Sequence, residues 1–186
     1  MSPATAADAL LDLLARSATT AYIGEPISQL EHALQCGRLA TEAGARGELV
    51  LAALLHDVGH LCAPDDAPQM AGLGVARHET IGADHLRAFG VAEEIAALVE
   101  GHVAAKRYLV SRTPGYMDRL SEASLGTLAH QGGAMSAAEA EAFEAAPLFR
   151  EVLRVRAWDE QAKRIGWDVP GLSAYRALLI AHIAAR

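Results

Sequence analysis

The sequence predicts an all-α protein with a single domain, residues 1–186. Its length suits one domain with a sizeable core, and no repeat, low-complexity tract or linker divides it. Hydrophobic residues make up 52% of the chain, and many of them are alanine or leucine, which favour helix. Aromatic residues make up only 5%, so little in the composition favours strands. A bundle of helices follows from these observations.

Sequence signals in the first part of the chain predict three helices. Residues 4–16 are amphipathic, with their leucines on one side. Ser28 and Glu31 form a capping box, which predicts a helix that runs to about residue 43. The apolar run over residues 48–56 predicts a largely buried helix, and Gly59 is expected to end it.

The rest of the chain alternates helix signals with glycine and proline. Residues 61–76 predict a long loop, and residues 131–133 predict a turn. Ser136 and Glu139 form a second capping box. The polar segment 17–27 is a predicted loop, and the remaining predicted helices cover residues 77–89, 92–110, 117–130, 136–145, 147–163 and 173–185.

Charge and cysteine usage limit the classes of function. A net charge of −7 disfavours nucleic acid as a partner. We expect no signal peptide and no membrane span, because no apolar run approaches the roughly 18 residues that a span needs. Cys36 and Cys62 have no disulfide or thiolate-site spacing, so we expect reduced cysteines and a cytoplasmic protein. Cys36 follows His32 by four residues, which predicts a position near any site that His32 forms.

Four histidines and two aspartates have the pattern of a metal centre. A single histidine on an apolar helix face is more often a core residue, but here the whole set falls on predicted helices. A carboxylate has two oxygens, so Asp57, next to His56, can bridge two metals. Imidazoles with two carboxylates suit iron, manganese or zinc better than calcium or magnesium. The predicted ligands are His32, His56, Asp57, His78, His102 and Asp159.

Cations and polar groups near these ligands predict an anionic substrate. Lys106 lies one helical turn after His102, and Arg156 lies one turn before Asp159. Arginine suits the geometry of a phosphate or a phosphonate. The alternatives are that Lys106 belongs to a solvated helix end and that Arg156 pairs with Glu160. Further candidates for the same pocket are Ser124 and Gln131.

Three more residues are candidates for direct roles. His60 lies one turn after His56, and we expect it beside the metals with a nitrogen toward a substrate oxygen. Tyr22 precedes the His32 helix, and its phenol can reach a metal. Glu25 can meet a cationic group of the substrate.

The chain resembles the HD-domain mixed-valent diiron oxygenases that cleave the carbon–phosphorus bonds of organophosphonates. The histidine–aspartate core of this likeness is common to many phosphohydrolases, whereas the Tyr22–Glu25 segment and residues 101–110 are much more specific. The likeness spans most of the chain and implies a single HD-domain helical bundle over residues 1–186. The matching strings are residues 22–25, 29–32, 51–57, 59–60, 78–79, 100–110 and 156–160.

The resemblance implies two iron ions, Fe(II) and Fe(III), with Asp57 bridging them. Asp159, His32 and His56 would complete one site, and His78 and His102 the other. Tyr22 would occupy an open position at rest and move away together with Glu25 when substrate arrives. The residues implied to hold the phosphonate are His60, Lys106, Ser124 and Arg156.

The implied reaction uses O2 to cleave (R)-1-hydroxy-2-(trimethylammonio)ethylphosphonate or (R)-1-hydroxy-2-aminoethylphosphonate. The products would be glycine betaine or glycine, with inorganic phosphate, and the enzyme would act after an iron/2-oxoglutarate hydroxylase. A quaternary ammonium requires aromatic faces, for which Tyr22, Tyr108 and Trp158 are candidates. The main alternative is an HD-domain metal-dependent phosphohydrolase of a nucleotide or small phosphate ester. An inositol-oxygenase-type diiron enzyme and a catalytically silent HD module are further alternatives.

Overall fold

The structure, a computed structural model, describes residues 1–22 and 24–184. Within these residues it has ten α-helices and no strand, which confirms the all-α prediction. Ile23, in a string that carries the family resemblance, and Ala185, the predicted end of the last helix, lie outside the described residues. The helices are α1 (Pro3–Ala15), α2 (Gln29–Glu42), α3 (Gly47–Leu55), α4 (Gly59–Cys62), α5 (His78–Ala88), α6 (Glu93–Arg112), α7 (Glu122–His130), α8 (Ala137–Glu144), α9 (Phe149–Gln161) and α10 (Ser173–Ala181).

Helix α3 forms the centre of the core. Its residues from Leu49 to Leu55 are all buried, and the helix packs against α2, α6, α9 and α10. Helix α6 in turn contacts α5 and α9. This arrangement brings the inner faces of α2, α5, α6 and α9 to the C-terminal end of α3. In the part of the chain that is described, no helix has the length and apolarity that crossing a bilayer requires.

Both predicted capping boxes are present. The Ser28 hydroxyl accepts a hydrogen bond from the Glu31 amide at 3.1 Å, and the Glu31 carboxylate accepts one from the Ser28 amide at 2.6 Å. Ser136 and Glu139 make the same exchange at the start of α8. These contacts satisfy amides that a helix N-terminus leaves unpaired, so the sequence signal and the boundaries agree.

The prediction that Gly59 ends a helix is wrong. Helix α3 ends at Leu55, and Gly59 begins the short helix α4. A Cβ atom on Gly59 would lie 1.8 Å from the carbonyl oxygen of His78 and 2.8 Å from the amide nitrogen of Gly82. Glycine is therefore required because the backbones of α4 and α5 touch here, and this contact positions the start of α5.

The predicted helix over residues 117–130 is divided. Residues Met117–Arg119 form a 3-10 turn, and α7 begins only at Glu122. Ser121 caps α7, since its hydroxyl accepts a hydrogen bond from the Ser124 amide. A second 3-10 turn, Arg16–Thr19, occupies the start of the predicted loop 17–27.

Candidate metal centre

The six predicted ligands converge at the C-terminal end of α3. Helix α2 carries His32, α5 begins with His78, α6 carries His102 and α9 carries Asp159. His56 and Asp57 follow α3 directly. The four imidazoles and Asp159 are buried, and the side chain of Asp57 is 16% exposed.

Backbone carbonyls hold the four imidazoles in one tautomer. A backbone carbonyl can only accept, so each Nδ1 that contacts one must donate, and the Nε2 atom of the same neutral ring then carries a lone pair. Burial and the neighbouring His78 also hold the pKa of His102 well below its ordinary value, which keeps that ring neutral. The contacts run from His32 to Ala162 at 2.9 Å, from His56 to Ala53 at 2.9 Å, from His78 to Val75 at 3.3 Å and from His102 to Val99 at 2.7 Å.

The imidazoles face one another in two pairs. In the first pair, the Nε2 atoms of His32 and His56 are 3.2 Å apart. In the second pair, those of His78 and His102 are 3.1 Å apart. Where both rings are neutral, the facing lone pairs repel each other, and a cation bound by both removes the repulsion. Burial opposes the charged form of His56, but Asp57 and Asp159 outweigh it and hold the pKa of His56 well above its ordinary value, so this position also favours a positive charge. The donor set therefore fits a metal ion at each pair.

Asp57 joins the two pairs. Its Oδ2 atom lies 3.3 Å from His56 Nε2 and 3.7 Å from His32 Nε2. Its Oδ1 atom lies 3.4 Å from His78 Nε2 and 3.6 Å from His102 Nε2. Burial opposes ionisation, but His56 and the hydrogen bonds with His56 and His78 outweigh it and hold the pKa of Asp57 well below its ordinary value. One carboxylate oxygen is thus available to each pair, as a bridging ligand requires.

Asp159 makes the two pairs unequal. Its Oδ1 atom lies 3.4 Å from His32 Nε2 and 3.8 Å from His56 Nε2, so it adds a ligand to the first pair. Among the predicted ligands, the second pair has only Asp57 beside its two imidazoles. Three protein ligands leave coordination positions open for a small molecule.

Cys36 and His60 lie against the centre. The Cys36 sulfur is 3.7 Å from His32 Nε2, as predicted, and burial raises the pKa of this thiol well above its ordinary value. The ring of His60 stacks on His78 with centroids 4.0 Å apart, and its Nδ1 accepts a hydrogen bond from the Val75 amide at 3.2 Å. Burial, followed by the neighbouring His78, lowers the pKa of His60 to about 4. The neutral ring therefore carries its proton on Nε2 and can donate.

A cavity opens beside the second pair. Asp57, His60, His78 and His102 form its floor. Its walls include Lys106, Ser124, Gln131, Arg156, Lys163 and Thr127.

Lys106 is buried, so the alternative of a solvated helix end is wrong for it. The side chain is 4% exposed, and its Nζ donates to the Thr127 hydroxyl at 2.8 Å and to the Ser124 carbonyl at 3.4 Å. Burial, followed by the charge on Arg156, lowers the pKa of Lys106 to about 8. Its hydrogen-bond partners are neutral, so its charge is available to an anion. Ser124 meets Lys106 through its carbonyl and not through its hydroxyl.

Arg156 pairs with carboxylates and still lines the cavity. Its Nε donates to Glu160 at 2.9 Å and to the Tyr116 hydroxyl at 3.2 Å, and its Nη1 contacts Asp159. The Nη2 atom is buried and has no hydrogen-bond partner among the described residues. The Gln131 side-chain oxygen is also buried and has no hydrogen-bond partner among the described residues. Buried polar atoms of this kind are usually satisfied, which marks these two for a ligand.

Tyr22 lies within the centre, whereas Glu25 does not reach the cavity. The Tyr22 ring stacks on His32 with centroids 3.9 Å apart, and its hydroxyl donates to Asp159 Oδ1 at 3.4 Å. Burial, followed by the charges of Asp159 and Asp57, raises the pKa of Tyr22 well above its ordinary value. Glu25 instead pairs with Lys163 at 2.6 Å.

Two predicted aromatic faces are absent from the cavity wall. Trp158 belongs to the hydrophobic core, and Tyr108 packs against Phe143 and Phe149. Helix geometry explains both, since Trp158 is one residue from Asp159 and Tyr108 is two from Lys106, which turns them away from the site. Tyr22 alone among the three lines the cavity.

Sequence reasoning missed Lys163, Thr127 and Tyr116. Lys163 follows Asp159 by four residues, and this spacing alone would have placed it near the ligand face. Thr127 lies three residues after Ser124, one turn along α7. No signal marks Tyr116, whose hydroxyl is hydrogen-bonded to Glu160 and Arg156, 44 and 40 residues further along the chain.

Imidazoles and aspartates from successive buried helices define a class of metal-dependent helical enzymes. The model of the HD domain matches residues 30–159, and the chain belongs to the HD-domain family. That span begins two residues before His32 and ends at Asp159, so it contains all six predicted ligands.

Within this family the chain is related to phosphonate dioxygenases. It is 40% identical over 149 residues to [1-hydroxy-2-(trimethylamino)ethyl]phosphonate dioxygenase (glycine-betaine-forming) of Leisingera caerulea, covering 80% of this chain and 76% of the relative. It is 39% identical over 155 residues to hydroxymethylphosphonate dioxygenase of Gimesia maris, covering 83% and 77%. Uncharacterized protein L432 of Acanthamoeba polyphaga mimivirus is 42% identical over 164 residues, covering 88% and 75%. The chain is thus an HD-domain enzyme of this related group.

Proposed function

We propose that this enzyme uses O2 to cleave the carbon–phosphorus bond of a 1-hydroxyphosphonate and releases inorganic phosphate. The observation that carries the proposal is the second imidazole pair. Together with Asp57 it offers three protein ligands to a metal, and it faces a cavity with Lys106 and Arg156 in its wall. Open metal positions beside buried cations suit a substrate whose hydroxyl and phosphonate oxygens both bind there. Two relatives at about 40% identity are named as phosphonate dioxygenases, which supports the same chemistry.

The proposed cofactor is a mixed-valent pair of iron ions, Fe(II)/Fe(III). His32, His56, Asp159 and Asp57 would hold one ion, and Asp57 would bridge to the other, held by His78 and His102. Nitrogen and carboxylate oxygen donors suit iron. When bound, the pair supplies activation of O2, which no side chain of the protein provides.

The residues of the chain bind and orient the substrate. Lys106 supplies a buried positive charge, and Arg156 supplies its unpartnered Nη2 donor. His60 supplies an Nε2–H donor beside His78. Gln131 and Ser124 complete the polar wall. A fixed phosphonate leaves C1 next to the metals in one orientation, which is the condition for cleaving a single bond.

Tyr22 is proposed to cover the first imidazole pair when no substrate is bound. Its ring lies on His32 and its hydroxyl on Asp159, so water is kept from the first pair in this state. We propose that it moves away when substrate binds. Glu25 moves with it, because their backbones are joined by a hydrogen bond of 2.9 Å.

The proposed substrates are (R)-1-hydroxy-2-(trimethylammonio)ethylphosphonate and (R)-1-hydroxy-2-aminoethylphosphonate, which would give glycine betaine or glycine. Both share the 1-hydroxyphosphonate unit that the cavity suits. Their C1 hydroxyl must be installed first, so we place the enzyme after an iron/2-oxoglutarate hydroxylase. We also propose that it works in the cytoplasm, where its two free cysteines stay reduced.

The test is phosphate release by iron-loaded, partly reduced protein with and without O2. The substrates are the trimethylammonio compound, the amino compound and hydroxymethylphosphonate. The one that releases phosphate fastest identifies the group that the enzyme prefers on C1. Release that requires O2 supports the proposal. Hydrolysis of a phosphate ester at an equal rate without O2, with no release from any phosphonate, would establish the phosphohydrolase alternative.

A further inference from the structure

Lys163 is a third cation in the wall of the cavity. Its Nζ lies 2.6 Å from Glu25 Oε1 and donates to the Ser121 hydroxyl at 3.2 Å. The side chain is 20% exposed and lines the same cavity as Lys106 and Arg156. The proposed function so far gives it no role.

The three cations differ in how readily they can take a new anion. Arg156 contacts Asp159 and Glu160, three and four residues along the same helix, so helix geometry fixes those pairs. Lys106 has neutral hydrogen-bond partners. Glu25 lies before α2 and outside any helix, so it is the carboxylate that can leave its cation with the least rearrangement of the backbone.

The ion pair also fastens the segment that carries Tyr22. The Glu25 amide donates to the Tyr22 carbonyl at 2.9 Å, and the Tyr22 amide donates to the Ile27 carbonyl at 2.9 Å. The Lys163 ammonium lies 6.0 Å from the centre of the Tyr22 ring. Holding Glu25 therefore holds the turn that places Tyr22 on His32.

We propose that Lys163 is a further substrate-binding residue, which exchanges the carboxylate of Glu25 for the phosphonate when the substrate enters. This inference rests on the proposed function, since it takes a phosphonate as the ligand. A lysine ammonium on a flexible stem can turn from one oxygen anion to another without moving its backbone. The released Glu25 no longer restrains the Tyr22 turn, so anion binding and uncovering of the first pair are coupled.

The exchange predicts opposite effects of two substitutions on anion affinity. Methylphosphonate has no C1 hydroxyl to bind and react, so it reports binding alone, measured by calorimetry on metal-loaded protein without O2. Glu25→Gln removes the competitor and should tighten binding about five- to tenfold, whereas Lys163→Gln should weaken it by a similar factor. In the double variant, Glu25→Gln should have no further effect. Glu139→Gln, which breaks an exposed pair with Arg107, is the matched control and should leave the affinity unchanged.

Three outcomes separate the possibilities. Weaker or unchanged binding in Glu25→Gln, with normal binding in the wild type, overturns the exchange and leaves the proposed function standing. No phosphonate binding in the wild type overturns both. A merely structural Lys163 would weaken binding in both Glu25 backgrounds without the tightening in Glu25→Gln, which also overturns the exchange.

A second measurement follows the Tyr22 turn directly. Hydrogen exchange of the Tyr22 and Glu25 amides, which are hydrogen-bonded within the turn, should rise when methylphosphonate binds the wild-type protein. In Lys163→Gln the same amides should already exchange fast without ligand. Exchange that does not respond to methylphosphonate in the wild type would contradict the release of Glu25.

Discussion

The ring of Tyr22 lies flat on the ring of His32, with planes 13° apart and centroids 3.9 Å apart. His32 cannot follow a displaced partner, because its Nδ1 is fixed on the Ala162 carbonyl at 2.9 Å. Tyr22 lies outside any helix and is the member of the pair that can move. The stack thus sets a residue that can move against one that cannot, as the proposed cover of a metal ligand requires.

Replacing Tyr22 with Phe should alter the visible absorption of the resting iron-loaded protein. The substitution keeps the stacking surface but removes a hydroxyl that lies 3.4 Å from the ligand oxygen of Asp159. Absorption spectra before and after substrate addition measure the effect. Tyr108→Phe is the control, since that ring packs on Phe143 and Phe149. Identical spectra for Tyr22→Phe and wild type would remove the Tyr22 hydroxyl from the centre.

Replacing Asp57 with Ala should abolish both metal sites, whereas Asp159→Ala should impair mainly the first. The reason is that Asp57 presents one oxygen to each imidazole pair, and Asp159 faces only His32 and His56. Metal content per chain, measured after loading and gel filtration, distinguishes the two variants. Asp65→Ala, in the exposed part of the loop after α4, is the control and should keep two metals.

A bridging role for Asp57 would be refuted by one fully occupied site in Asp57→Ala. Loss of both metals in Asp159→Ala, with the fold intact by circular dichroism, would contradict the assignment of Asp159 to a single site.

Replacing Gly59 with Ala should destabilise the protein and disturb the second metal site. The new Cβ would meet the His78 carbonyl at 1.8 Å, so the backbone of α5 must shift and carry His78 with it. We expect a loss of about 1–3 kcal/mol in the free energy of unfolding, measured by urea denaturation. Gly171→Ala is the matched control because its Cβ would meet no atom within 4 Å. Equal stabilities for the two variants would show that α4 and α5 can separate freely.

The value of kcat/KM for a phosphonate should fall as the pH rises through about 8. Burial lowers the pKa of Lys106 to about 8, so the ammonium that attracts the anion is present below this pH and lost above it. In Lys106→Arg the guanidinium stays charged, so the decline near pH 8 should disappear in whatever activity remains. A decline at the same pH in Lys106→Arg would assign it to another group.

The sequence predicts the fold well, and the six candidate ligands lie together in the structure, because both depend on local spacing. Capping boxes at Ser28 and Ser136 set helix starts through contacts three residues apart, and these are correct. His56 and Asp57 are adjacent, so any fold that buries one brings the other to the same place. The fourfold recurrence of histidine on apolar helix faces then predicts a shared centre.

The features that were missed depend on contacts between distant segments. Gly59 reads as a helix stop, yet its role comes from the backbone of α5, about twenty residues away. Glu25 and Lys163 are 138 residues apart, and no local pattern joins them. Nearness in sequence to Asp159 makes Trp158 a candidate for the pocket, but neighbours on a helix point in different directions, and Trp158 packs in the core.

The most direct test of the account is the ratio of O2 consumed to phosphate released, measured with an oxygen electrode and a phosphate assay on one sample. Oxidation of a 1-hydroxyphosphonate to a carboxylate and inorganic phosphate takes up both atoms of one O2 molecule for each bond cleaved. The account predicts a ratio of one, with no phosphate under nitrogen. Phosphate released from the phosphonate without O2 uptake would contradict oxidative cleavage and leave a hydrolytic HD-domain enzyme.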